Sequence, residues 1–157
     1  MIKPAAMKVL RIIVFLCTVG IVMLLVSCVD DEPSFVTTAE LISGNTQNGR
    51  SYFIRSAEID IPELNGTLVL DECVTDNTII YYPNGRYEQN EGPTKCNPED
   101  LPGLVGEWTL SSGETQMFIT IDGVTELWEI IQVSESGHSI TRESVSGQIT
   151  YILERFL

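Results

Sequence analysis

Short turn signals punctuate most of the chain beyond its first third. Pro83-Asn84-Gly85, Ser111-Ser112-Gly113-Glu114, Asp122-Gly123, Ser136-Gly137 and Ser146-Gly147 each separate runs rich in β-branched and aromatic residues. Asn-Gly and Asp-Gly supply the positive φ angles that tight hairpins demand. Nothing that resembles a long amphipathic helix stands between these turns. Closely spaced turns without helices are the pattern of an antiparallel meander, and they exclude a parallel sheet with helical crossovers.

The strands expected from this punctuation are Arg50–Asp60, Asn77–Tyr82, Arg86–Glu91, Glu107–Leu110, Thr115–Ile121, Val124–Val133, His138–Ser144 and Gln148–Phe156. Seven or eight strands in sequence predict an all-β domain, an up-and-down meander closing as a small barrel or half-barrel. A barrel is preferred because closure removes the edge strands that an open meander leaves exposed. The last strand is then expected to zip against the first strand or its neighbour. Thr37–Ser43 predicts one or two turns of helix, with Ala39, Leu41 and Ile42 on its apolar side. In Val124–Val133, Leu127, Glu129, Ile131 and Val133 share one face and Glu126, Trp128, Ile130 and Gln132 the other. Neither face is purely apolar, so the pattern assigns no interior side. Trp128 is expected in the core rather than at a pocket mouth.

The N-terminus has a different composition. Lys3, Lys8 and Arg11 precede an uncharged run of 15 residues, Ile12 to Val26. That run is shorter than the roughly 20 residues a helix needs to cross a bilayer, and it fits the apolar region of a signal peptide. Leu25-Val26-Ser27-Cys28 follows and resembles the lipobox of bacterial lipoproteins. The resemblance implies cleavage before Cys28, diacylglycerol on its thiol and an acyl chain, such as palmitate, on the new amino group. Two or more chains, each adding about 0.8 kcal/mol per buried methylene, hold a protein firmly to a membrane. Residues 1–27 are therefore expected to be a signal peptide and 28–36 an acidic flexible tether, Val29-Asp30-Asp31-Glu32-Pro33-Ser34 and its flank. The β domain is expected over 37–157. The acidic stretch after the cysteine resembles the export signals of Gram-negative lipoproteins sent to the cell surface. The expected location is the outer membrane, on its surface or its periplasmic face.

All acidic residues lie beyond position 27, so the processed chain carries 22 acidic against 6 basic side chains, a formal −16. Such a surface repels nucleic acid and anionic headgroups, and no nucleic-acid partner is expected. Cys17 lies in the discarded segment and Cys28 is consumed by lipid, leaving Cys73 and Cys96. An even pair in an oxidising compartment, without zinc spacing or a neighbouring histidine, predicts a disulfide.

Residues 77–110, NTIIYYPNGRYEQNEGPTKCNPEDLPGLVGEWTL, resemble the lipocalin-like domains of secreted bacterial lipoproteins. The matching pieces are Asn84-Gly85, Glu91-Gly92, Thr94-Lys95-Cys96 and Gly106-Glu107-Trp108, with Asp71-Glu72-Cys73 and Asp76-Asn77 upstream. The resemblance runs over roughly Glu40 to Phe156, with its specific motifs confined to 71–110. It implies a small up-and-down barrel and pairs Cys73 with Cys96 in the same way. It names no ligand, since fold does not dictate function. One departure is the tryptophan that such domains carry early in the first strand; here Tyr52 or Phe53 takes that role.

Catalytic chemistry finds no footing. His138 is the single histidine, and it follows a turn glycine. No Gly-x-Ser-x-Gly elbow accompanies the serines. Asp71, Glu72 and Asp76 are the closest carboxylate cluster, but the Asp-x-Asp-x-Asp-Gly pattern of a calcium loop is absent. The sequence thus predicts no catalytic residue, metal or cofactor. The function expected is that of a non-enzymatic, lipid-anchored envelope lipoprotein, monomeric, whose barrel binds a small apolar ligand or a protein partner through residues the sequence does not identify. The alternative is an envelope hydrolase or inhibitor acting through surface carboxylates.

Overall fold

A computed structural model describes residues 35–61, 64–99, 101–144 and 147–156. The signal segment, Cys28, residues 29–34 of the tether, and residues 145–146, which include Ser146 of the expected Ser146-Gly147 turn, lie outside the described residues. Residues 36–157 form one unit.

The turns form as their chemistry requires. Asp122 (φ 51°) and Gly123 (φ 79°) are both left-handed, the type I′ geometry whose twist matches the flanking strands, and Ile121 sits directly opposite Val124. Asn84 Oδ1 accepts the Arg86 backbone N–H at 3.1 Å, closing the first hairpin. In the Ser111–Glu114 turn the left-handed residue is Glu114 (φ 53°) rather than the glycine before it.

These turns link strands β1 (Arg50–Ile61), β2 (Leu64–Leu68), β3 (Thr78–Tyr81), β4 (Arg86–Asn90), β5 (Gly103–Leu110), β6 (Gln116–Ile121), β7 (Val124–Ser134), β8 (Gly137–Ser144) and β9 (Gly147–Arg155). Two short helices, α1 (Thr38–Ser43) and α2 (Glu72–Thr75), precede β1 and β3. From β3 to β9 every strand pairs antiparallel with the next. β9 then pairs with β1 over Tyr52–Asp60, and β1 pairs with β3 over Arg50–Tyr52. The result is a closed eight-stranded antiparallel barrel, as the turn spacing predicted. The last strand joins the first, as expected. β2 is an addition that the sequence reading did not assign: it pairs with the far half of β1, Ala57–Ile61, outside the ring.

Two β-bulges decide which residues face inward. In β1 the register shifts between Ile54 and Ser56, so Tyr52, Ile54 and then Ala57 point into the barrel. In β7 it shifts between Ile130 and Gln132. Trp128 and Ile130 face inward before the bulge and Val133 after it, while Leu127 and Ile131 are exposed. A single extra residue moves all later side chains to the opposite face, so the simple two-face division of Val124–Val133 does not hold. Trp128 is in the core, as expected, and so is Tyr52, which is fully buried where Phe53 is only half-buried.

Candidate functional site

The two halves of the barrel interior differ. At the end where β1 begins, α1 closes the opening. Thr37 and Glu40 form a capping box that starts the helix, and Ile42 inserts fully buried. Glu114, turned by its left-handed backbone, accepts the Thr38 N–H through Oε2 at 3.1 Å. The carbonyls at the other end of α1 receive donors from β1. Tyr52 Oη donates to Ile42 O at 2.8 Å and Leu41 O at 3.1 Å, and Arg50 Nη1 donates to Leu41 O at 2.6 Å. Helix termini leave such carbonyls without partners, and here the barrel supplies them.

Above α1 the lumen is filled by rings. Tyr81 is the hub, with ring centroids 5.8 Å from Tyr52, 5.5 Å from Tyr87, 5.5 Å from Trp108 and 5.4 Å from His138. These are edge-on or tilted arrangements, each worth about 0.5–1.5 kcal/mol beyond the area it buries. Trp108 Nε1 donates to Tyr82 O at 2.9 Å, and fully buried Met117 fills the remaining space. Gly106, two residues before Trp108, lies where a Cβ would come within 2.2 Å of Thr120 O, so the Gly-x-Trp step lets β5 and β6 approach closely. His138 is 3% exposed, and burial pushes its pKa down to about 3. Neither of its nitrogens has a hydrogen-bond partner among the described residues. It is a neutral member of the aromatic core, and its position opposite Leu153 on β9 turns it inward. Burial likewise pushes the Tyr81 and Tyr87 phenols upward.

The other half of the lumen is hollow. A cavity of about 300 Å³ opens at the end where β3 begins and β4 finishes. That volume is at the lower end of small-molecule sites, which run from about 300 to 1,000 Å³. Its apolar wall comes from Ile54, Ile79, Ile119, Ile121, Ile140 and Leu153, with Trp128 and Tyr151 adding edge-to-face aromatic surface at 5.7 Å. Polar groups are few. Arg142 Nη1 donates to both Glu126 oxygens at 3.0 and 3.1 Å, and its guanidinium carbon stands 4.9 Å from the Trp128 ring centre. Tyr87 Oη donates to Gln89 Oε1 at 3.2 Å. An eight-stranded barrel is just wide enough to be filled by its own side chains or to hold one small ligand. Here side chains fill the closed half, and the other half is left open.

The motifs of residues 71–96 build one rim of this cavity. Cys73 and Cys96 lie at disulfide distance, Cα atoms 5.1 Å apart and 23 positions apart in sequence. Asp76 Oδ2 accepts the Thr94 N–H at 2.9 Å and Asn77 Oδ1 accepts the Gly92 N–H at 2.8 Å. These bonds clasp the loop after β4 onto α2, whose Val74 lines the cavity. Asp71 and Asp76 flank α2 as its caps. Among the described residues no group of three or more His, Cys, Asp or Glu side chains is placed to hold a metal ion. The cavity residues themselves were not predicted, because they converge only when the ring closes. No family model matches the chain, and no curated protein matches it.

Proposed function

We propose that this protein is a lipid-anchored lipoprotein of the bacterial cell envelope whose barrel binds a small, largely apolar ligand in the open half of its lumen. The observation that carries the ligand reading is the contrast within one barrel. One half is packed solid with aromatic rings, while the other leaves about 300 Å³ lined by isoleucines, Trp128 and Tyr151. Protein interiors are ordinarily close-packed, so a space of this size beside a dense core is a feature to be explained. The anchor reading is supported by the lipobox-like Leu25-Val26-Ser27-Cys28 at the end of the apolar run, and an outer-membrane location by the acidic residues that follow.

A native mass spectrum of the full chain, extracted from the membranes of its own host, tests both parts. The expected result is acylation mass on a chain beginning at Cys28, together with a small co-purifying molecule lost on activation. A chain without acylation mass contradicts the anchor. Absence of any added ligand, with no binding of apolar probes, contradicts the lumen reading.

A further inference from the structure

The open half of the lumen is lined in two layers, and their contrast narrows the ligand further, provided that the lumen is a ligand site at all. β4, β6, β7, β8 and β9 each place two consecutive inward residues along it. Nearer the closed half these are Tyr87, Ile119, Trp128, Ile140 and Leu153, all between 2% and 9% exposed. The next inward positions toward the mouth are Gln89, Ile121, Glu126, Arg142 and Tyr151, which are half-buried or exposed. The inner layer is therefore a floor, and the outer layer is the wall that rises from it. The floor offers an incoming molecule hydrocarbon and aromatic surface. Its single hydroxyl, on Tyr87, is turned to Gln89 Oε1, and the Trp128 indole N–H is buried out of reach of solvent. Charged and amide groups appear only from the outer layer outward.

Size follows from the same geometry. Inward residues two apart on a strand are separated by about 6.7 Å, and the strand tilt of a barrel reduces this to about 5 Å along its axis. The space above the floor is shallow for that reason. Its volume of about 300 Å³, at about 30 Å³ for each water-sized group, holds about ten non-hydrogen atoms. The long acyl chain of a membrane lipid does not fit. A polar group carried to the floor loses its water and meets no free partner, whereas one left at the outer layer stays hydrated. We infer that the cavity takes a short amphiphile of up to about ten non-hydrogen atoms, a single short chain or a single carbocycle, seated tail-first with its polar end at the outer layer.

A ladder of ketones tests both the size and the orientation: 2-hexanone, 2-octanone, 2-decanone and 2-dodecanone, titrated into the full chain in lipid nanodiscs. Affinities are referred to the free aqueous concentration, with protein-free nanodiscs as the blank. Binding is read by two-dimensional NMR of the two indole N–H signals; that of Trp128, at the floor, should move, and that of Trp108, in the closed half, should not. Each methylene that becomes buried tightens binding about fourfold. The expected result is that 2-octanone binds about fifteenfold more tightly than 2-hexanone, while 2-dodecanone gains nothing over 2-decanone. 2,7-Octanedione, which carries a second carbonyl to the floor, should bind about tenfold more weakly than 2-octanone. A full increment for every added carbon through 2-dodecanone overturns the size limit while the lumen reading stands. Equal or tighter binding of the dione overturns the tail-first orientation. If no ketone binds, the lumen reading itself fails.

Discussion

Tyr52 and His138 meet edge to face in the closed half of the barrel, their ring centroids 4.6 Å apart. Tyr52 is fixed from the other side by the α1 carbonyls, and Tyr81 closes on the imidazole as well. The histidine is thereby held neutral, with its pKa lowered to about 3 by burial. The unfolded chain binds a proton there near the ordinary value of about 6.5, and the folded chain does not. The stability contributed by this neutral state is therefore complete above pH 6.5 and is lost as pH falls toward 3, by about 3 kcal/mol at pH 4. Melting curves from pH 7 to pH 4 check this: His138→Phe should lose distinctly less stability than the parent chain, whereas parallel pH profiles contradict the assignment.

Tyr52→Phe keeps the ring and removes the hydroxyl that serves Leu41 O and Ile42 O. Two carbonyls at the end of α1 then lose a donor, at a cost of about 1–3 kcal/mol. Urea denaturation should show a lower midpoint with an unchanged slope.

Cys73 and Cys96 tie α2 to the loop following β4. Replacing both with serine is expected to cost about 3 kcal/mol on the chain-entropy model. The loss should appear as a Tm lowered by several degrees, and an unchanged Tm argues against the bond.

β9 is bonded along both edges, Leu153 standing opposite Ile54 of β1 and His138 of β8. Deleting Leu153–Leu157 removes a buried core side chain and opens the ring on two sides. The truncated chain is expected to lose its cooperative thermal transition and its near-ultraviolet circular dichroism; retention of both contradicts closure through β9.

The hairpins were legible because their turns are local. Asn84-Gly85 and Asp122-Gly123 carry their geometry in two residues, and the strands beside them followed within a residue or so. β5 starts at Gly103, earlier than the expected Glu107, because Leu104–Gly106 follow a Pro-Gly step that reads locally as loop yet pair with Glu88 and its neighbours. β2 and α2 escaped for a similar reason: Asn65-Gly66 has the composition of a turn, but the long β1 offers it an edge to pair with. Inward and outward faces were illegible in β7, since a bulge reverses the parity and leaves no mark in composition. His138 was read from the turn beside it, while its burial follows from its register against Leu153. Of the cavity wall, Asn77 was named as part of a motif and Trp128 as a core residue, neither as a site; the wall is set by which strands become neighbours across the ring.

Ile121 stands half-buried where the cavity opens, with space in front of it. Ile121→Trp should therefore fill the open lumen while leaving the aromatic half untouched. The most direct measurement is the Tm of the full chain and of this variant in nanodiscs, with and without 2-octanone. A ligand at 100 times its Kd adds about 2.7 kcal/mol to a site that binds it. The parent chain should rise by several degrees with the probe, and the variant, melting close to the parent in its absence, should not respond. An equal rise in both proteins, or none in either, contradicts a binding site in the open half of the barrel.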